Sequence, residues 1–379
     1  MRSRMLPKYY ISQSNFERER SKIFRNAWVF AGLSNLLPEN HSFITRKIAG
    51  IPIVIQNFKG QLRAFENICL HRGAPLQKGP SGIRPLICAY HAWSYDSEGH
   101  VKNIPDCDII YHLDPCEKST LKLREFSLQQ IGQLLFINIS HDPMPIEEQF
   151  TPEFIDLLRG SSEFYDSEVM TTTWHANFNW KLAQENLRDL NHVKYVHAKS
   201  LSKVSHFAIT AEDASSIESD LIDLSTKALR QEMRKFSHGG PEGHNHFTTH
   251  FPWMEKVERW GNIDSYFNWL AYPNLHIASG NGGYSFTIEN YIPIAPGKTD
   301  VEIFFMTGRK KINYADSYQV LLSHMHYSKQ ILGEDIEILE AIQSGLHNEA
   351  PAPFQGAYES KNREIERWYS ILMETDHGI

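Results

Sequence analysis

Cysteine is scarce in this chain, four in 379 residues, which excludes a disulfide framework. Long apolar runs are missing too. The longest, near Leu134–Ile139, is the size of a strand and far short of a bilayer span. The first residues, Met-Arg-Ser-Arg-Met-Leu-Pro, are basic, but no apolar stretch follows as it would in a secretory signal. No run of lysine and arginine occurs and the net charge is −7, which argues against a nucleic-acid partner. Internal repeats, low-complexity tracts and a G-x-G-x-x-G behind a strand are absent, the last excluding a dinucleotide site of that type. The expectation is a cytoplasmic protein with neither a membrane nor a nucleic-acid partner, in a compartment that keeps thiols reduced.

What is there fits an ordinary globular chain, 41 % hydrophobic and 22 % charged, long enough for two domains. Ser14-Asn15-Phe16-Glu17 reads as a capping box opening a helix, with Phe16, Ile23 and Ala27 on one face. From Trp28 the texture shortens to β-rich runs. Ile51–Gln56 and Leu62–Ile68 flank a turn at 57–60, Leu86–Tyr90 and a run from Ala92 follow, and Leu121–Leu128 pairs with Leu134–Ile139. Pro143 and Pro145 mark a boundary. Beyond it come a helical stretch over 179–197 and a polar region, with loops or a lid expected over 212–250. Strands at Tyr284–Tyr291 and Val301–Thr307 follow, then an amphipathic helix from about Ala315 to Gln343 and a last helix at Asn362–Met373. Gly333 predicts an irregularity in the long helix.

Two stretches carry chemistry. Asn179–His197 gathers Glu185, Asn186, Asp189, His192 and His197. On one helix, Glu185, Asp189 and His192 fall within about 60° of each other, while His197 lies about 140° from His192. If both imidazoles hold one metal, the helix must loosen or end between them; the bland alternative is a surface histidine and a capping one. Upstream, Cys69-Leu70-His71 and Cys88-Ala89-Tyr90-His91 are separated by sixteen residues. Two such corners suit a tetrahedral zinc, or a [2Fe–2S] centre with two thiolates on one iron and two imidazoles on the other.

The runs Asn67–Ala74 and Cys88–Asp96 resemble the two cluster loops of Rieske non-haem iron oxygenases, and Asn179–His197 resembles the iron motif of the same family. The resemblance implies an α+β architecture: an N-terminal helix (1–38) packing with the catalytic domain, a small all-β Rieske domain (39–145), and a helix-grip-like catalytic domain (146–379) with an antiparallel sheet and flanking helices. It implies a [2Fe–2S] cluster on Cys69, His71, Cys88 and His91, and a mononuclear Fe(II) on His192, His197 and Asp335. Glu334 and Glu337 are the alternatives for the third ligand. Asp189 is implied to hydrogen-bond His192 and to reach His91 of a neighbouring chain, closing a cyclic homotrimer, with a small beta subunit possible. Asn186 matches a residue near the iron, and Trp93 and Tyr90 are expected to shield the cluster. Ala92 stands where the family has glycine, which is tolerable with φ below zero, and Asn191 replaces a common aromatic.

The activity so implied is that of a terminal oxygenase: electrons from NAD(P)H, through a separate reductase and in some systems a ferredoxin, with O2 as co-substrate, hydroxylate a small organic, typically aromatic, molecule. Oxidative demethylation, or hydroxylation of an alicyclic or quaternary-ammonium compound, is the alternative within the family. An electron carrier without oxygenase activity and a zinc-stabilised binding protein are alternatives of other classes. His238, His244, His246 and His250 read as loop histidines, and Cys107 and Cys116 as ordinary thiols. Phe178, Leu182, Asn274, His276, Phe286 and Phe304 are candidates for facing a substrate.

Overall fold

The computed structural model describes residues 3–374, apart from 4, 190, 201–249, 262–266, 280, 349 and 357–358. His238, His244, His246 and all of the expected lid except His250 lie outside the described residues. Among the described residues no helix is long and apolar enough to cross a membrane.

The chain divides into two compact units, Phe24–Met144 and a second made of Met1–Ile23 with Pro145–Ile379. It opens with α1 (Lys8–Ile11) and α2 (Gln13–Glu19). Ser12, not Ser14, caps α2, its side chain accepting from the Asn15 amide. In the Phe24–Met144 unit, β1 (Val29–Leu33), β2 (Ser42–Ile48), β3 (Ile51–Phe58), β4 (Gln61–Glu66), β5 (Ser81–Ile83), β8 (Glu125–Ile131) and β9 (Leu134–Asn138) form one antiparallel sheet, ordered β1-β9-β8-β4-β3-β2-β5. A small ribbon of β6 (Ser94–Tyr95) and β7 (Val101–Asn103), and the short helix α3 (Pro115–Thr120), complete it. Because β1 pairs with β9, residues 24–38 belong with this unit, and the domain cut expected at 38 falls at 23/24 instead. The β3–β4 hairpin turns at Lys59 and Gly60, both with positive φ, as expected. Leu86–Tyr90 is not a strand, because its backbone is spent on the tight corner around Cys88.

The second unit is built on an antiparallel sheet of β10 (Met170–Ala176), β11 (Phe267–Ala271), β12 (Leu275–Ser279), β13 (Ser285–Ala295) and β14 (Lys298–Thr307), in the order β10-β14-β13-β12-β11. Around it lie α4 (Ile146–Gln149), α5 (Pro152–Ser162), α6 (Trp180–Asn186), α7 (Val193–Val196), α8 (Ser317–His347) and α9 (Ser360–Glu374). The long helix is α8, and it runs unbroken through Gly333. A Cβ there would come within 3.4 Å of the Trp174 ring, so glycine admits a neighbour's indole and makes no bend.

The first residues are pinned to this unit by a buried polar hub. Glu19 accepts from Lys181 Nζ at 2.6 Å, Asn15 Nδ2 at 2.8 Å and Trp180 Nε1 at 2.9 Å, with the Tyr369 hydroxyl as a fourth donor. Burying a carboxyl this fully is costly unless an opposite charge and several donors surround it, as they do here. The hub joins α2, α6 and α9 and fixes the helix from which the second histidine motif departs.

Candidate metal centres

The two Cys-His corners of the smaller unit fold alike. Cys69 N–H donates to Ala74 O at 2.8 Å and Gly73 N–H to Cys69 O at 2.9 Å; Cys88 N–H donates to Trp93 O at 2.8 Å and Ala92 N–H to Cys88 O at 3.0 Å. Each corner buries its cysteine, 2 % and 3 % exposed. The fifth position of each corner is left-handed, Gly73 at φ +73° and Ala92 at φ +57°. The expectation of a negative φ at Ala92 therefore fails. The corner needs a reversal that glycine makes freely and alanine makes at about 1–2 kcal/mol.

The His71 and His91 rings lie 4.6 Å apart, and Trp93 stacks on His71 at 5.1 Å. His71 Nε2 faces the Tyr111 hydroxyl at 3.5 Å. His91 Nδ1 is enclosed and has no partner among the described residues. The Tyr95 hydroxyl lies 3.2 Å from Cys69 Sγ and accepts from the Leu70 amide at 3.0 Å. Burial raises the Cys69 thiol above its ordinary pKa and, with His91 close by, lowers that of His71. Trp93 is buried, whereas Tyr90 stays 59 % exposed with its ring 3.8 Å from His91. Tyr95 lies within the run that resembles the second cluster loop but had no role assigned from the sequence, and Tyr111 carried no motif signal; both contacts are visible only in the folded corner.

Two buried thiols facing two imidazoles, one with an enclosed and unpartnered Nδ1, fit a [2Fe–2S] centre. Among the described residues only His192, His197 and Asp335 bring one ligand atom each within 4.8 Å of the others.

In the larger unit the expected single helix is broken. α6 ends at Asn186, and Arg188 and Asp189 close tight turns onto the carbonyls of Glu185 and Asn186. Asp189 Oδ1 then accepts from the Asn191 amide at 2.8 Å, a local side-chain bond that competes with helix continuation. The chain restarts as the single turn α7, flanked by His192 and His197, whose rings lie 5.2 Å apart. One break thus precedes His192, and α7 ends at Val196 with His197 as its non-helical cap, so the helix also ends between the two histidines, as one shared metal requires.

Asp335 comes in from α8. His197 Nε2 stands 3.1 Å from its Oδ1, His192 Nε2 3.5 Å from the same atom, and Asn186 Nδ2 donates to it at 2.9 Å. Burial works against the Asp335 charge, yet the two imidazoles outweigh it and hold the carboxyl down at about 2. Burial likewise opposes the His197 cation, but Asp335 and Glu334 together raise its pKa. Glu334 meets the far side of the same ring: its Oε2 lies 2.8 Å from His197 Nδ1 and also accepts from the Ser200 hydroxyl. Glu337 is not in the group. Asp189 lies 3.8 Å from His192 Nδ1, too far for a hydrogen bond, and that nitrogen is enclosed without a partner among the described residues. Within one chain, Glu334 stands toward His197 as Asp189 was expected to stand toward His192. Its signal in the sequence was adjacency, since neighbouring helix carboxylates 100° apart can flank one imidazole. Two imidazoles and one carboxylate converging from one side fit a facial-triad iron and leave positions open opposite.

Comparison with known proteins agrees with both centres. Residues 27–114 match the family described as "Rieske [2Fe-2S] domain", and residues 163–375 that described as "Ring hydroxylating alpha subunit (catalytic domain)". The chain is 29 % identical over 237 residues to a glycine betaine monooxygenase oxygenase subunit of Pseudomonas aeruginosa, covering 61 % of this chain and 53 % of that protein. It is 30 % identical over 198 residues to the anthranilate 1,2-dioxygenase large subunit of Acinetobacter baylyi, covering 50 % and 42 %. The chain thus spans about half the length of the curated relatives it matches. Its fold is shared with a quaternary ammonium Rieske monooxygenase in complex with L-carnitine (TM-score 0.69, 19 % identity, 96 % and 94 % of the chains covered). Naphthalene 1,2-dioxygenase from Rhodococcus sp. is similar as well (TM-score 0.70, 19 % identity, 98 % and 94 % covered). With the catalytic-domain match alone extending over more than half of its length, the chain belongs to the ring-hydroxylating alpha subunits, the Rieske non-haem iron oxygenase family.

Proposed function

We propose that the chain is the terminal oxygenase component of a Rieske-type system, hydroxylating a small organic substrate with O2 and reductase-supplied electrons. The observation that carries this is the convergence of His192, His197 and Asp335, which a carrier of electrons alone would not need. Cys69, His71, Cys88 and His91 would hold the cluster, and His192, His197 and Asp335 the iron. When bound, the cluster supplies electrons and the iron activates O2 beside the substrate. The chain's own residues do the positioning. Tyr95 places a hydroxyl against Cys69 Sγ, and Trp93 covers one face of His71. Glu334 fixes the ring of His197 so that Nε2 points inward, and Asn186 orients the Asp335 carboxylate. The reductase, and a ferredoxin where one intervenes, are separate partners. Oxygen-18 gas supplied with a reductase should label the product, His192→Ala should abolish product while the Rieske absorbance persists, and product carrying oxygen from water alone would sink the proposal.

The proposed assembly is a head-to-tail homotrimer in which Asp189 of one chain approaches His91 of the next. Asp189 Oδ2 has no hydrogen bond among the described residues, which supports a role outside its own chain. A heterologous contact of this kind closes into a ring. Co-expression of two inactive chains, His71→Ala and His192→Ala, should restore part of the activity. Mixed trimers that stay inactive would count against the inter-chain arrangement.

A further inference from the structure

The sheet of the larger unit carries a polar group that the metal centre does not use. His276 on β12 is 2 % exposed and Glu289 on β13 4 %. They are register partners, with His276 Nδ1 2.8 Å from Glu289 Oε2. Tyr291 OH donates to that same oxygen at 2.6 Å, and His276 Nε2 lies 2.8 Å from Asn268 Oδ1. Oε2 is therefore fully engaged. Oε1 is different: among the described residues it has no hydrogen-bond partner, and it is not one of the enclosed polar atoms. A carboxylate oxygen fixed through its sister atom's partners, reachable and without a donor among the described residues, is an acceptor for a group that another molecule brings.

The elements bring this oxygen to the sheet face on which α8, the helix of Asp335, packs. His324 of α8 contacts the hydroxyls of Ser285 and Thr287 at 2.9 and 3.0 Å, and Ser328 lies 3.4 Å from Thr287. Ser285, Thr287, Glu289 and Tyr291 alternate along β13 and share the face that α8 covers. Further on, Gln343 lies beside Gly297, in the turn after β13, so helix and strand run the same way. Asp335 falls on the stripe of His324 and Ser328, within about 20° of each, and about 10 Å beyond Ser328 along the axis. Glu289 and Tyr291 lie about 7 and 13 Å beyond Thr287 along the strand. By this count the Asp335 side of α8 and the Glu289–Tyr291 stretch lie at a like height along the sheet, where Gly333 of the helix rests against Trp174 of β10. Phe286 and Phe304, candidates from the sequence, point to the opposite face, where Phe286 packs on Tyr165 at 4.7 Å.

We propose that Glu289 Oε1, fixed by His276 and Tyr291, accepts a hydrogen bond from an N–H or O–H group of the substrate, so that the enzyme is selective for a polar substrate over a bare hydrocarbon. The inference rests on the oxygenase reading for the word substrate, but the binding itself needs no turnover. A ligand with a donor supplies the hydrogen bond that no described residue gives Oε1. A hydrocarbon of the same shape leaves it unpaired, which is the condition under which a site discriminates strongly.

The test is calorimetric binding of three probes of like shape to the iron-loaded protein: benzylamine, benzyl alcohol and toluene. Wild type should bind the amine or the alcohol at least tenfold more tightly than toluene, and which of the two is tighter identifies the donor. Glu289→Gln, which can turn an amide N–H toward the ligand, should lose the preference for benzylamine, whose ammonium only donates, while toluene affinity stays level; benzyl alcohol can accept from that amide and is compared in wild type and Glu289→Asp. Glu289→Asp, with a shorter reach, should keep part of the preference and covers the case in which the glutamine variant does not fold. Equal binding of all three probes by wild type, or an unchanged preference in a folded Glu289 variant, overturns the proposal. Because no turnover is read, loss of oxygenase activity for any other reason leaves these outcomes distinct.

Discussion

Removing the carboxylate of Glu334 should weaken Fe(II) binding without disturbing the cluster. His197 is flanked by two acids, with Nδ1 2.8 Å from Glu334 Oε2 and Nε2 3.1 Å from Asp335 Oδ1. The outer contact keeps the ring proton on Nδ1, so the Nε2 lone pair is free for the metal. Loss of such a partner lowers metal affinity about 10–100-fold, or about 1.4–2.7 kcal/mol. Glu334→Gln retains an oxygen that can accept from Nδ1–H and should sit at the low end; Glu334→Ala should sit at the high end. Asp335→Ala removes a ligand and should lose the iron outright. At 3.8 Å from His192, Asp189 gives its ring little support, so Asp189→Asn should cost less than Glu334→Gln. Anaerobic competition against a chelator of known affinity measures the iron, while visible absorbance reports on the cluster. Wild-type affinity in Glu334→Ala would refute the reasoning. So would retention in Asp335→Ala with loss in Glu334→Ala, which would move the ligand by one residue.

Ala92→Gly should stabilise the cluster-bearing unit by about 1 kcal/mol, because the residue sits at φ +57°; thermal loss of cluster absorbance measures it, and an unchanged or lower midpoint contradicts the strain. Glu185, hydrogen-bonded by the Tyr10 hydroxyl, is pushed by burial from its ordinary 4.5 up to about 7. The folded state therefore keeps a proton that the unfolded chain has already lost, and stability declines as pH rises from about 4.5 to about 7, by roughly 3 kcal/mol from this group. Glu185→Gln should flatten that decline in denaturant titrations; an unchanged slope would place the carboxyl at its ordinary value.

Much of the site was legible because the ligands are local. Cys69 with His71, Cys88 with His91 and His192 with His197 each lie within one corner or one turn, so sequence neighbours are also neighbours in space, the last pair because α7 ends before His197. Asp335 depended on resemblance, since Glu334 and Glu337 offered the same chemistry and only the packing of α8 separates them. Helical periodicity misled between Glu185 and His192, where Asp189 bonds its own backbone and ends the regular pattern. The same kind of limit applied at Gly333, whose missing side chain serves Trp174 from a distant strand. In the smaller unit, strand patterns identified the β3–β4 hairpin but not that β1 closes the sheet against β9, a long-range pairing. The Glu289–His276 group is equally non-local and gave no motif.

The central claim is that one chain holds two different iron centres, and metal analysis of the purified protein tests it most directly. Iron, zinc and acid-labile sulfide are to be counted per chain in wild type and in the His192→Ala and Cys88→Ala variants, with the visible spectrum recorded on the same samples. The account predicts about three irons and two sulfides per chain in wild type, about one iron fewer in His192→Ala with the Rieske spectrum intact, and loss of sulfide and spectrum in Cys88→Ala. Zinc without sulfide, or an iron count that His192→Ala leaves unchanged, would contradict it.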